Sequence, residues 1–85
     1  MGIGLAVPLK VFLAATLRKH VSGYDAGTGC GMQIDPGTSV RDVARQLLIP
    51  EEEVRLILVN GVHTGWDTLL KGDERVAFFP PVGGG

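Results

Sequence analysis

Short runs of branched and aromatic residues, separated by turn residues, predict several strands along the chain. The first predicted strand is 9–13 (LKVFL), and the most apolar one is 55–59 (RLILV). The segment 74–79 (ERVAFF) predicts the last strand, and 32–34 (MQI) predicts the core of the second. Four glycines within 14–31 predict a long turn region between the first two strands.

One segment has the periodicity of a helix instead. Ser39 is placed to cap it, and Asp42, at the third helical position, completes a variant of the capping box. Proline disfavours helical geometry in the residue before it, so Ile49-Pro50 is expected to end the helix. The spacing i, i+3, i+4, i+7, i+8 predicts one buried stripe. That stripe consists of Val40, Val43, Ala44, Leu47 and Leu48.

Turn residues connect these elements and set their order. Asp35-Pro36-Gly37 and Lys71-Gly72-Asp73 are turns, and Asn60-Gly61 predicts a hairpin into a short strand at Val62-His63. The order strand, strand, helix, strand, short strand, strand predicts an α+β fold. One helix on one face of a mixed sheet is the β-grasp arrangement. We expect a single domain over 1–85, with a frayed N-terminus (1–5) and a flexible C-terminal tail (80–85).

Strand parity predicts which side chains face away from the helix. Three strands begin with a basic residue, Lys10, Arg55 or Arg75, and residues two and four positions further on share its face. The predicted open face holds Phe12, Ala14, Ile57, Val59, Ala77 and Phe79. The predicted core face holds Val11, Leu13, Leu56, Leu58, Val76 and Phe78. An apolar open face usually marks a partner site, the alternative being that a loop or the N-terminal segment covers it.

Composition excludes several classes of function. A net charge of −1 argues against binding nucleic acid through bulk charge. The single cysteine, Cys30, rules out an internal disulfide and gives too few thiols for a cysteine-based zinc site, which fits a reducing cytoplasm. The apolar run before Lys10 is too short for a membrane span, so no membrane partner is expected.

Side chains suited to catalysis are scarce. His20 and His63 lack metal-site spacing, and both are interpreted as surface or hairpin histidines. Cys30 has no basic neighbour that would lower its pKa, and the glycines around it lack the Lys-Ser/Thr of a phosphate loop. The run 51–53 (EEE) is interpreted as a solvated acidic turn.

The end of the chain has a different chemistry. Pro80-Pro81 cannot continue a paired strand, and six residues reach about 20 Å when extended. Glycines without Cβ atoms can pass through a narrow channel and bring a backbone carboxylate to another enzyme's site. ATP can adenylate that carboxylate, after which a persulfide can convert it to a thiocarboxylate. The alternative is an inert glycine-rich end.

Several segments resemble the MoaD/ThiS family of ubiquitin-like sulfur carriers: 11–20 (VFLAATLRKH), 55–61 (RLILVNG) and 69–85 (LLKGDERVAFFPPVGGG). Within the last segment, 72–85 (GDERVAFFPPVGGG) is very similar to the end of molybdopterin synthase small subunits. The resemblance implies a β-grasp fold and adenylation and thiocarboxylation of the terminal glycine, with Gly84 and Gly85 matching the family's Gly-Gly pair. It implies that the chain is not an enzyme by itself and binds no cofactor, since the partner activating enzyme uses ATP and Mg.

The resemblance also implies partners and leaves the pathway open. The expected partners are a ubiquitin-activating-type enzyme and a molybdopterin synthase large subunit or another sulfur acceptor, with sulfur donation to molybdopterin as the leading function. The alternatives are a thiamine-pathway carrier, a covalent protein modifier and a non-activated structural subunit. The short connection 49–54 is similar to thiamine-pathway carriers. The expected partner-binding residues are Phe79, Ile57, Phe12, Pro80, Pro81, Val82 and Gly83.

Overall fold

The computed structural model describes residues 5–82, which form a mixed five-stranded sheet with one α-helix on one face. The strands are β1 (Val7–Leu13), β2 (Cys30–Ile34), β3 (Thr38–Ser39), β4 (Leu56–Val59), β5 (Val62–His63), β6 (Leu69–Leu70) and β7 (Arg75–Phe79). The helix α1 spans Val40–Gln46, and two 3-10 helices span Ala15–His20 and Glu51–Glu53. Among residues 5–82, no helix is long and apolar enough to cross a bilayer.

The strand order in the main sheet is β2-β1-β7-β4-β5. The first and last strands lie side by side and parallel at its centre, with Lys10 opposite Arg75 and Leu13 opposite Phe78. All other pairs in this sheet are antiparallel. A parallel pair needs a long crossover connection, and here that connection includes α1. This is the β-grasp arrangement, so the predicted fold class is confirmed.

The start of α1 matches the sequence prediction. The Ser39 hydroxyl accepts a hydrogen bond from the Asp42 backbone N–H at 3.1 Å, and the Asp42 carboxylate accepts one from the Ser39 N–H at 3.4 Å. These two bonds form a complete capping box. Two backbone N–H groups that α1 leaves without helical partners are therefore satisfied by side chains.

The helix ends earlier than predicted, and the predicted stripe is wrong at Leu48. The Ile49 N–H donates to the Ala44 carbonyl and the Leu48 N–H to that of Arg45, which is the Schellman arrangement. Leu48 takes the left-handed conformation, with φ of 61°, and its side chain is 81% exposed. Because the backbone reverses at Leu48, Ile49 takes the buried position instead.

The core lies between α1 and one face of the sheet. Its fully buried aromatic residue is Phe78, and Trp66 stacks on that ring with centroids 5.8 Å apart. Leu17 enters the same core from the first 3-10 helix. The buried residues are Leu9, Val11, Leu13, Leu17, Ile34, Val40, Val43, Ala44, Ile49, Ile57, Leu70, Val76 and Phe78.

Two short pieces of structure were not predicted. The region 14–31 holds the first 3-10 helix, and the Tyr24 hydroxyl accepts a hydrogen bond from the Leu13 N–H at 2.7 Å. Strands β3 and β6 form a separate two-stranded sheet, in which Ser39 lies opposite Leu69. Each is too short for its hydrophobic period to be recognised in the sequence.

The face assigned to the third predicted strand was also wrong. Ile57 lies opposite Phe78 and is 5% exposed, so it belongs to the core and not to the open face. Leu56 and Leu58 lie opposite Phe79 and Ala77. The run LILV contains no polar residue, so the sequence has no alternation from which its parity could be inferred.

The acidic turn is not simply solvated. Glu51 accepts a hydrogen bond from Arg41 at 3.2 Å, and Arg41 also bonds Asp67. The Glu53 carboxylate lies 2.7 Å from Nε2 of His20, whose side chain is 16% exposed. These pairs link the acidic turn to His20 and to Arg41, and Arg41 links it further to Asp67. His20 is correspondingly not a fully exposed surface residue.

Candidate functional site

The open face, defined as the sheet face opposite α1, presents apolar side chains from three neighbouring strands. The parallel register places Phe12 of β1 beside Ala77 of β7, and the antiparallel register places Leu58 of β4 on the other side of Ala77. Leu56 lies beside Phe79 in the same way. All five side chains are partly exposed.

Phe79 lies where this face meets the tail. It is the last residue of β7, and its carbonyl accepts a hydrogen bond from the Arg55 N–H at 2.7 Å. Pro80 and Pro81 follow, and since proline has no N–H to donate, the strand pairing stops there. Val82, the last described residue, is 96% exposed. The backbone thus leaves the sheet directly beside the apolar face.

Two surface grooves flank Phe79. The larger has a volume of ≈ 740 Å³ and includes the start of the tail. Its lining residues are Ala14, Ala15, Arg55, Leu56, His63, Phe79, Pro80, Pro81 and Val82. The smaller, of ≈ 170 Å³, lies toward β1. Its lining residues are Phe12, Leu13, Ala14, Arg18, Tyr24, Ala26, Ala77, Phe78 and Phe79.

The glycine-rich loop approaches one side of the open face. A Cβ added at Gly29 would lie 3.0 Å from the Phe12 ring and 2.8 Å from the Val11 carbonyl oxygen. Gly29 has φ of +75°, so glycine suits this position both in backbone conformation and in space. Tyr24 and Ala26 reach the smaller groove. The loop therefore flanks Phe12, whereas the larger groove beside Phe79 is lined by strand ends and the tail.

Arginine side chains lie on and beside this face. The Arg75 guanidinium lies 5.6 Å from the centroid of the Phe12 ring, in cation–π geometry. Arg18 donates from Nε to the Leu13 carbonyl at 3.1 Å and lines the smaller groove. Arg55 and His63 line the larger one.

The shifted pKa values belong to groups outside these grooves. The hydrogen bond from His20 lowers the pKa of the Glu53 carboxyl, and the positive charges of His20 and Lys19 act in the same direction. The Asp67 carboxylate raises the pKa of Arg41, to which Glu51 also contributes. Within residues 5–82, no cluster of three or more His, Cys, Asp or Glu side chains could hold a metal ion.

The structure brings most of the described candidate residues together. Phe79 and Phe12 lie on the open face, and Pro80, Pro81 and Val82 extend from it. Ile57 does not, because its side chain is in the core. The predicted Gly83, Gly84 and Gly85 lie outside the described residues. The sequence pattern did not indicate Leu56 and Leu58 on this face, or Ala15 and His63 in the larger groove. Only the register against β7 would have identified the two leucines.

A sequence model described as the ThiS family matches residues 31–85, which include the tail, the strands β4, β5 and β7 of the main sheet and all of β2 except Cys30. The chain belongs to the ThiS family. Members of this ThiS/MoaD-like group are ubiquitin-like sulfur carriers that work with adenylating enzymes and sulfur acceptors. A comparison of this ThiS family chain with curated protein sequences gives no match.

Three solved structures share this fold, with TM-scores of 0.67 to 0.69. The Haloferax volcanii protein HVO 2177, known from a solution structure, is 29% identical in sequence and superposes with a TM-score of 0.69. The match covers 94% of this ThiS family chain and 88% of the H. volcanii chain. A Pyrococcus furiosus protein provisionally named molybdopterin converting factor, subunit 1, is also 29% identical, with a TM-score of 0.67. That match covers 89% of this chain and 99% of the P. furiosus chain. Small archaeal modifier protein 1 of H. volcanii is 18% identical, with a TM-score of 0.68 over 89% of this chain and 99% of its own chain. At that identity the likeness supports a shared fold and nothing further.

Proposed function

We propose that the chain carries sulfur as a C-terminal thiocarboxylate on Gly85 and donates it in molybdopterin biosynthesis. The observation that carries this proposal is the continuity of the open apolar face, through Phe79 and the half-buried Pro80, with the exposed residues Pro81 and Val82. A partner that packs on the face is thereby placed beside the tail. In this proposal the chain is not an enzyme itself, because the partners supply the catalytic groups.

The chemistry proceeds in steps on the terminal carboxylate. A carboxylate oxygen of Gly85 attacks the α-phosphorus of ATP, pyrophosphate leaves, and an acyl adenylate forms. The terminal sulfur of a protein persulfide then attacks the acyl carbon, and AMP leaves with the former carboxylate oxygen. A thiol cleaves the resulting acyl disulfide, which releases the thiocarboxylate and leaves a disulfide. ATP and Mg belong to the activating enzyme, and no cofactor bound to this chain is needed.

The tail suits this chemistry for geometric reasons. Two prolines restrict φ at the exit and hold the backbone away from the sheet. The six residues 80–85 span about 20 Å when extended, enough to enter an active site while the domain stays outside. The final glycines add no side-chain bulk to the channel that would hold them.

Two findings support molybdopterin as the pathway. The segment 72–85 (GDERVAFFPPVGGG) is similar to the end of molybdopterin synthase small subunits. The P. furiosus protein named for a molybdopterin converting factor is 29% identical over 89% of the chain. The proposed partners are a ubiquitin-activating-type adenylating enzyme and a molybdopterin synthase large subunit, in the cytoplasm.

A thiamine-pathway carrier is the second candidate. The connection from α1 to β4 is short and contains only one turn of 3-10 helix, Glu51–Glu53. In that brevity the chain is similar to thiamine-pathway carriers. A covalent modifier would use the same acyl adenylate, with a lysine amine replacing the persulfide.

Intact mass measurement tests the proposal. The chain is incubated with its cognate activating enzyme, ATP, Mg and a persulfide donor, and we expect a product in which one sulfur replaces one oxygen. Deletion of Gly85 should leave the thermal melting curve unchanged, because residues 83–85 follow the last strand, yet it should abolish adenylation. Unchanged adenylation of the shortened chain would contradict the proposal.

The same thiocarboxylate then identifies the pathway. It is offered separately to a molybdopterin synthase large subunit and to a thiazole synthase, and sulfur transfer to the former is expected. Transfer only to the latter favours the thiamine candidate. An isopeptide bond between the Gly85 carbonyl and a lysine amine, formed from the acyl adenylate with release of AMP, favours the modifier.

A further inference from the structure

Basic side chains line both grooves beside Phe79. All five basic side chains on or beside the open face, Lys10, Arg18, Arg55, His63 and Arg75, are exposed. None of them belongs to an ion pair within residues 5–82, where the ion-paired bases are His20 and Arg41. Arg18 and Arg55 therefore have no carboxylate beside them in the grooves that flank Phe79, whereas Lys10 shares a third groove with Asp73 and Glu74.

The acidic side chains occupy other parts of the surface. Among the described residues, no Asp or Glu lines either groove beside Phe79. Glu51, Glu53 and Asp67 are held in ion pairs away from those grooves, and Asp42 caps α1. A protein with net charge −1 thus presents a basic surface at the place where its tail leaves the sheet.

We propose that the open face docks on a protein surface with an apolar centre bordered by Asp and Glu carboxylates. This inference rests on the proposed function and specifies the partner surface of the activating enzyme. Phe79, Leu56 and Ala77 would contact the apolar centre of the partner surface. Arg18 and Arg55, one in each groove, would pair with the carboxylates at the border of that surface.

Electrostatics gives such a border a defined role. Complementary charges at the edge of an interface accelerate association and select among partners, and their effect decreases with salt. A phosphate-rich partner such as nucleic acid would also attract the cations. Such a partner would have no apolar surface to contact the aromatic and aliphatic side chains between the grooves. A protein partner can contact both these side chains and the arginines.

Charge reversal tests the inference with a matched control. Arg55→Glu and Arg18→Glu are the test variants, and Arg45→Glu on the exposed side of α1 makes the same change in net charge at a residue with no ion pair. Binding to the cognate activating enzyme is measured by calorimetry from about 0.05 to 0.5 M NaCl. The Arg18 side chain also donates a hydrogen bond to the Leu13 carbonyl, so Arg18→Glu is expected to affect stability more than Arg55→Glu does. Melting curves are therefore measured for all three variants.

We expect Arg55→Glu to weaken binding about tenfold or more at low salt, equivalent to about 1.4 kcal/mol. Arg45→Glu should bind like the unmodified chain, and added salt should reduce the difference between Arg55→Glu and Arg45→Glu. Equal affinities for these two variants, with normal adenylation of the unmodified chain, would overturn this inference alone. Failure of the unmodified chain to bind or be adenylated would remove the proposed function as well. Tighter binding to a single-stranded RNA than to the enzyme would identify a phosphate partner and overturn the inference.

Discussion

At the scale of single residues, adjacent side chains in β7 have opposite environments. Phe78 is fully buried and stacks on Trp66, whereas Phe79 is partly exposed on the open face between two grooves. Alternation along a strand separates the two rings by one residue in sequence and by the full thickness of the sheet. One ring is therefore available to the core and the other to a partner.

Truncating the two rings should separate stability from binding. Phe78→Ala removes a buried ring and should cost about 3–5 kcal/mol of the free energy of unfolding. Phe79→Ala should cost much less stability, yet weaken binding to the activating enzyme or synthase large subunit about tenfold or more. Paired urea unfolding and binding titrations measure both effects. Early unfolding of Phe79→Ala with loss of affinity only in Phe78→Ala would contradict the register of β7.

Leu48 offers a second test at this scale, because it takes a conformation that favours glycine. Its φ is 61° and its side chain is 81% exposed, so Leu48→Gly removes strain and gives up little burial. We expect a gain of about 1 kcal/mol in the free energy of unfolding. Leu47→Gly is the control, since Leu47 has φ of −89° and packs against the core, and it should destabilise. A loss of stability in Leu48→Gly would show that its exposed side chain contributes to the fold.

At the scale of elements, ion pairs hold the short helices in place. The Glu53 carboxylate joins the second 3-10 helix to His20 at the end of the first, 33 residues away in sequence. Arg41 joins the start of α1 to Glu51 and to Asp67 in the segment before β6. Short 3-10 segments have poor internal hydrogen bonding, so tertiary contacts of this kind decide where they lie.

The His20–Glu53 pair predicts a pH dependence of stability. Because its bond to His20 lowers the pKa of Glu53 below the ordinary value of 4.5, the folded state favours the carboxylate. The contribution is fully present above that ordinary value and is lost as the pH falls through the lowered pKa. The free energy of unfolding from pH 6 to about pH 3 should therefore fall more steeply in the unmodified chain than in Glu53→Gln.

The matched control is Glu52→Gln, whose side chain is exposed and forms no ion pair within residues 5–82. It should keep the acid dependence of the unmodified chain. If Glu53→Gln and Glu52→Gln showed the same slope, the pair would contribute nothing measurable.

At the scale of the whole molecule, the two ends of the domain meet at its centre. The parallel pairing of β1 with β7 brings the start of the sequence against the strand that leads into the tail. The turn before β7 packs against the start of β1, and the Asp73 N–H donates to the Pro8 carbonyl at 2.7 Å. The strand that delivers the tail is thus supported by contacts made near the beginning of the chain.

Gly72 tests this long-range support. A Cβ there would lie 2.5 Å from Cγ2 of Val7, and its φ of +124° already favours glycine. Gly72→Ala should lower the free energy of unfolding by more than about 1 kcal/mol. Gly65→Ala is the control, because a Cβ at Gly65 meets nothing within 4 Å. Equal melting temperatures for the two variants would mean that the turn moves away from β1 without cost.

Much of the fold was predictable because its determinants are local. The capping box at Ser39 and Asp42, the hairpin at Asn60-Gly61 and the alternation in β1 and β7 each depend on residues a few positions apart. Local chemistry therefore identified the helix start, the strands of the main sheet and the end of strand pairing at Pro80-Pro81. It also indicated Phe12 and Phe79 as residues of the open face.

Tertiary structure decided the features that have no local signal. The side chains of LILV in β4 are all apolar, so only the hydrogen-bond register with β7 places Ile57 in the core and Leu56 beside Phe79. Leu17 becomes a core residue only because its 3-10 helix packs back onto the sheet. The basic border of the open face likewise joins Arg18 to Arg55 from distant segments. A sequence pattern reports the period of an element, whereas the element's partners in space determine which of its faces is buried.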